Sequence, residues 1–96
     1  MTDLARVHLD YRVAFLGYLP RREEAALHSG YKLGRAAVAD GLSLLDLVQV
    51  HHAVFLEVLE DSRDGELGQV AEAASEFLLE VLAPYDMTHR GLLPGS

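Results

Sequence analysis

The five histidines are the residues of this sequence that could bind a metal or move a proton near neutral pH. His51 and His52 are adjacent, so on a helix their side chains diverge by about 100° and cannot bind one ion together. His52 is followed by Glu57 at a spacing that does not match the HExxH motif of zinc hydrolases. We therefore expect no metal site. We expect His51 to be partly buried and hydrogen-bonded across a helical bundle.

Nucleophilic and phosphate-binding motifs are also missing from the sequence. The five serines lack the glycine elbow of hydrolases, and the string GYKLG at 30–34 lacks the spacing of a phosphate-binding loop. There is no cysteine, which excludes disulfides and thiolate metal sites. The sequence therefore predicts a protein that is not an enzyme, with no catalytic residue and no cofactor.

Charge is distributed unevenly along the chain, whose net charge is −7. Residues 1–35 contain six Lys or Arg and four acidic residues, whereas residues 36–96 contain two and eleven. This pattern argues against nucleic acid as a partner, because phosphate binding needs a clustered basic surface. A membrane span at 42–59 is disfavoured, since Asp46 alone would cost about 2.5–3.5 kcal/mol there. With no export signal visible, we expect a cytoplasmic protein.

Hydrophobic periodicity predicts four helices, at about residues 3–18, 20–41, 43–59 and 66–82. Ser43 is expected to cap the third helix, and Pro84 to break or kink the fourth. Short connections favour antiparallel neighbours. The predicted fold is therefore an all-α antiparallel four-helix bundle over residues 1–91, followed by a flexible tail at 92–96.

The second helix contains two glycines one turn apart. Each glycine inside a helix costs about 1 kcal/mol relative to alanine, so a structural reason for both is expected. Gly30, Gly34 and Ala37 are predicted to let a neighbouring helix pack unusually close.

The third helix has two apolar flanks. A small bundle is expected to bury only one of them. One flank carries Leu44, Val48, Phe55 and Leu59. A symmetric homodimer would bury the other flank, although a central helix wrapped by its own neighbours is an alternative. The residues predicted as dimer or partner interface are Leu47, Val50, Val54 and Val58 of this other flank, with Leu9, Val13 and Leu16 of the first helix.

Two strings, DGLSLLDLVQVHHAVF at 40–55 and EFLLEVLAPYDMTHRG at 76–91, resemble the helical N-terminal domain of RsbU-type regulatory serine phosphatases of bacteria. The C-terminal dimer domain of the circadian protein KaiA is a distant fold relative. The family-like motif comprises Pro84, Tyr85, Asp86, Met87, Thr88, His89, Arg90 and Gly91.

The resemblance implies a non-catalytic, dimerising module of a partner-switching, stress-response pathway of sigma-factor regulation. Such a module binds an RsbT-like switch protein and relays that event to a phosphatase domain, which these residues do not include. The chain is then either a fragment or a stand-alone adaptor. Two other hypotheses stay open: a sensor that binds a small ligand inside the bundle, with His51 and a tyrosine as polar anchors, and a small metal-dependent enzyme.

Overall fold

The computed structural model describes residues 3–91, which fold into a bundle of four helices. The helices are α1 (Leu4–Tyr18), α2 (Glu24–Ala39), α3 (Leu44–Glu60) and α4 (Leu67–His89), with a short 3₁₀ turn at Asp64–Glu66. The described residues contain no strand, which confirms the predicted all-α class. Across residues 3–91, every helix is too short or too polar to cross a membrane. The tail predicted at 92–96 lies outside the described residues.

Polar side chains begin two of the helices. The Asp3 carboxylate accepts hydrogen bonds from the backbone N–H groups of Ala5 and Arg6, at 3.0 and 3.4 Å. The Ser43 hydroxyl accepts one from the N–H of Asp46 at 3.1 Å, as the sequence predicted. These bonds satisfy N–H groups that have no partner within the helix.

The most extensive helix pair is α2 with α4. Gly30 faces Phe77 and Gly34 faces Val81, so these two helices run in the same direction. The consecutive helices α2 and α3 are not a main packing pair, because α3 packs against α1 and α4 instead. The short connection between α2 and α3 therefore does not make these two helices a main packing pair.

The core is built around Phe77 of α4, which is fully buried. Tyr11, Phe15 and Tyr18 of α1 surround it, with ring centroids 5.4, 5.6 and 5.9 Å from its own. Gly30 leaves room for the ring, since a Cβ there would lie 3.0 Å from its edge. This cluster locks α1 and α2 onto α4.

Helix α4 continues through Pro84 to His89, whereas the sequence predicted an end near Leu82 and a break or kink at Pro84. Pro84 is buried, and its ring carbon Cγ lies 3.1 Å from the place where Gly34 would carry a Cβ. Beyond it, the Tyr85 hydroxyl donates a hydrogen bond to the Leu42 carbonyl at 2.8 Å. This tertiary packing offsets the lost backbone donor and keeps the proline inside a helix.

Helix α2 begins at Glu24, later than the predicted start near Pro20. Arg22 ends the preceding turn with a φ of +52°, a left-handed conformation that is uncommon outside glycine. Its guanidinium bridges to α4, where Nη2 donates to the Gln69 carbonyl at 3.0 Å and Nη1 lies 3.3 Å from Glu72. These contacts hold the strained turn, and helix periodicity alone gives no sign of them.

Candidate interaction surfaces

The α3 residues predicted as an interface lie instead in the monomer's own core. Leu47, Val50, Val54 and Val58 are between 0% and 8% exposed, so no partner can reach them in the folded chain. That part of the prediction is wrong. The flank that faces solvent is the opposite one, which the sequence assigned to the bundle.

Three polar residues of α1 fix the rotation of α3. The Tyr11 hydroxyl lies 2.7 Å from His51 Nδ1, which confirms the predicted hydrogen bond of this histidine across the bundle. On the other side of the buried flank, Glu57 pairs with Arg12 and lies 2.9 Å from His8 Nε2. With both borders of the flank tied to α1, Val54 must point inward.

The Tyr11–His51 pair is uncharged at neutral pH. Burial lowers the pKa of His51, and the nearby His52 lowers it further. Burial also raises the pKa of Tyr11 well above its usual value. A neutral imidazole that carries its proton on Nε2 can accept the Tyr11 hydrogen at Nδ1, so the pair is a structural hydrogen bond.

The first exposed apolar surface is the groove between α1 and α2. Leu9 and Val13 are 58% and 63% exposed and line it, and Leu16 lies beside it on the same side of α1. The groove has a volume of about 680 Å³, and Asp10 and Lys32 provide charges at its wall. Small residues make up half of its lining: Ala14, Gly17, Ala26, Ser29 and Ala36.

The second exposed apolar surface, here named the α3 face, is the outward flank of α3. Its most exposed members are Leu45 at 75% and Leu44 at 47%. The full set of exposed apolar residues on this face is Leu44, Leu45, Val48 and Leu56. Phe55 and Leu59 are half-buried at its edge and connect it to the core. Both surfaces are large apolar areas on a small domain, which is typical of interaction sites.

The two surfaces differ in charge. Helices α3 and α4 together carry seven acidic residues and no Lys or Arg. Helices α1 and α2 carry acidic residues, such as Asp10, as well as basic ones. The basic residues are Arg6, Arg12, Lys32 and Arg35. The α3 face therefore belongs to a helix whose charged residues are all acidic, whereas the groove lies between helices of mixed charge.

The family-like motif occupies the C-terminal end of α4. Tyr85 contacts the α2–α3 connection through Leu42, and Met87 Sδ lies 4.0 Å from the Tyr31 hydroxyl of α2. Asp86 pairs with Arg90 at 3.2 Å, and Gly91 closes the helix with a φ of +79°. Pro84, Thr88 and His89 lie in the same last turns. The motif therefore anchors the last turns of α4 to α2 and to the α2–α3 connection.

The geometry gives no support to the ligand-sensor or metal-enzyme hypotheses. His51 faces Tyr11 in the packed core, and the clefts between the helices open to solvent. Within residues 3–91, no three His, Asp or Glu side chains are close enough to hold a metal ion. The polar residues that helix periodicity missed include Arg12 and Glu57, which pair between α1 and α3, and Arg22, whose only sequence signal is its position after Pro20 and Arg21.

Neither a curated protein nor a solved structure matches the chain significantly. A family model described as the N-terminal domain of phosphoserine phosphatase RsbU matches residues 9–88, nearly the whole of the 96-residue chain. The chain therefore belongs to the family of RsbU N-terminal domains.

Proposed function

We propose that this chain is a non-catalytic regulatory module of a bacterial partner-switching pathway, which acts in the cytoplasm. It forms a homodimer, binds an RsbT-like switch protein and relays that binding to a phosphatase. The observation that carries this proposal is the family match over residues 9–88. Two exposed apolar surfaces on one small domain support it, because a dimeric adaptor needs one surface for its twin and another for its partner.

The groove between α1 and α2 is the better candidate for self-association. A two-fold interface must be self-complementary, so each surface has to supply both charges of any ion pair. Asp10 and Lys32 both line this groove, and each copy can therefore offer either charge to the other. Its small residues allow two α1 helices to approach closely. Leu9, Val13 and Leu16 then supply the apolar contact.

The experiment that tests the function is a calorimetric titration of the purified chain with the RsbT-like switch protein of the same bacterium. We expect saturable binding with one switch protein per copy of the chain. A related switch protein from an unrelated pathway of that bacterium serves as the control and is expected not to bind. Absence of heat and of co-migration in gel filtration with the RsbT-like protein would contradict the proposed function.

A further inference from the structure

We propose that the α3 face is a docking surface for a different protein, which presents an apolar helix flanked by Lys and Arg. The proposal rests on the proposed function only in taking the chain to be an interaction module. It goes beyond that function in naming the surface used and the chemistry of the partner's matching surface.

The shape of the face suits a helix. Leu45 and Leu56 are eleven residues apart on α3, which is three turns and about 16 Å along the helix axis. Leu44 and Val48 lie beside them, exposed by 47% and 36%. Gln49 and His52 are exposed on the turn between Val48 and Leu56, so a helix laid along this face would contact apolar side chains at the turns on either side, as amphipathic helices do in apolar grooves.

The acidic residues of α3 and α4 favour a partner with a positively charged surface. Four of the seven acidic residues of α3 and α4 are already paired within the chain. Glu57 pairs with Arg12, Glu72 and Glu76 pair with Arg22, and Asp86 pairs with Arg90. The other three, Asp46, Glu60 and Glu80, have no ion pair within residues 3–91.

Glu60 follows Leu56 by four residues and therefore borders the α3 face directly. Arg63 follows Glu60 by three residues but forms no ion pair with it within residues 3–91, and α3 and α4 carry no Lys or Arg, so this carboxylate is available to a cation from outside.

The same charges argue against a second copy of the chain as the occupant. Two α3 faces brought together would bring the unpaired Glu60 of each copy to the same contact, with no Lys or Arg on α3 or α4 to offset the two charges. A head-to-tail contact between this face and the α1–α2 side of another copy does not close on itself and would produce filaments. A basic apolar surface on another protein meets neither difficulty.

The test uses two synthetic amphipathic peptides with the same row of leucines, one flanked by lysines and the other by glutamates. Each is titrated into the ¹⁵N-labelled full chain while amide shifts are recorded. We expect the lysine peptide to shift the amides of α3 around Leu45, Val48 and Leu56. We expect the glutamate peptide to bind at least about tenfold more weakly. Raised salt should weaken the lysine peptide, because the charges are exposed.

Matched variants locate the site. Leu45→Lys and Leu56→Lys are expected to weaken the lysine peptide about tenfold each, because they remove apolar contact and repel its charge. Ala25→Lys adds the same charge at an exposed position of α2, outside both apolar surfaces, and should leave the affinity unchanged. The proposal is overturned if the peptide shifts map to the groove, if both peptides bind equally, or if neither binds. Peptide binding at α3 without binding of the RsbT-like protein would contradict the proposed function and leave this inference standing.

Discussion

Gly34 of α2 lies directly against the carbonyl oxygen of Val81 in α4. A Cβ built on Gly34 would be 2.0 Å from that oxygen, far inside any possible contact, so the glycine hydrogen in that place points at the carbonyl. Pro84 packs on the same glycine. The close approach of α2 to α4 and the presence of a proline inside α4 therefore both depend on Gly34. The contact explains why a residue that is unfavourable in helices stands in the middle of α2.

Gly34→Ala is therefore expected to destabilise the domain by about 3 kcal/mol, because the added methyl meets backbone rather than a movable side chain. Chemical denaturation measures the change in the free energy of unfolding. The control is Gly68→Ala in α4, where nothing lies within 4 Å of the new methyl and helix propensity favours alanine by up to about 1 kcal/mol. Equal stability of the two variants would contradict the close packing of α2 on α4.

Gly30→Ala tests the same helix pair at a softer contact. Its Cβ would lie 3.0 Å from Cε1 of Phe77, a side-chain ring that can shift by a few tenths of an ångström. The gain in helix propensity, about 1 kcal/mol, offsets part of the crowding. We expect a loss of unfolding free energy smaller than that of Gly34→Ala in the same denaturation experiment. A larger loss at residue 30 would mean that Phe77 cannot move.

The lowered pKa of His51 predicts how stability depends on pH. The unfolded chain binds the His51 proton with the ordinary pKa of 6.5, whereas the folded chain binds it only at lower pH. Below about pH 7 the unfolded state thus holds more protons, and the free energy of unfolding falls as pH falls, until the pH passes below the folded pKa.

We expect His51→Gln to lose less stability between pH 7 and pH 5 than the unchanged chain, measured by thermal or urea unfolding across that range. Gln49→Ala on the exposed side of α3 is the control, because it removes no titratable group and should keep the original pH dependence. If both variants followed the unchanged chain, titration of His51 would not contribute. Tyr11→Phe should in addition cost about 1 kcal/mol at neutral pH, since it removes the bond to Nδ1.

The features that the sequence predicted correctly depend mainly on residues close together in the sequence. The four helices follow from periodicity, and Ser43 caps α3 because its hydroxyl reaches an N–H only three residues away. The hydrogen bond of His51 was also foreseeable, since a histidine beside an apolar flank needs a partner once it is buried.

The rotation of α3 could not be predicted in the same way. Both flanks of this helix are apolar, so periodicity does not show which of them faces the core. Val48 and Val54 are the same residue type, one on each flank, and their sequence neighbours do not distinguish them. The choice is made by Tyr11 and Arg12 of α1, which bind His51 and Glu57 from about forty residues away. The continuation of α4 through Pro84 has the same origin, because it depends on Gly34 in another helix.

Self-association through the α1–α2 groove predicts that Val13→Glu produces a monomer. The valine is 63% exposed, so a glutamate there leaves the core intact but places two like charges at the centre of a two-fold interface. Sedimentation velocity at micromolar concentration measures the outcome. Leu56→Glu on the α3 face is the reciprocal control and should remain dimeric. If Leu56→Glu were monomeric and Val13→Glu dimeric, the α3 face rather than the groove would be the dimer interface, and the prediction would be wrong.

A matched pair of valines on α3 tests which flank belongs to the core. Val54 is fully buried and Val48 is 36% exposed, so the same truncation removes very different contacts. Val54→Ala should lower the free energy of unfolding by about 2 kcal/mol or more, from two buried carbons and the cavity they leave. Val48→Ala should cost under about 1 kcal/mol. Urea denaturation, at a protein concentration where both variants have the same oligomeric state, measures the two losses of unfolding free energy. The reverse order would mean that α3 is turned so that Leu45 and Val48 face inward.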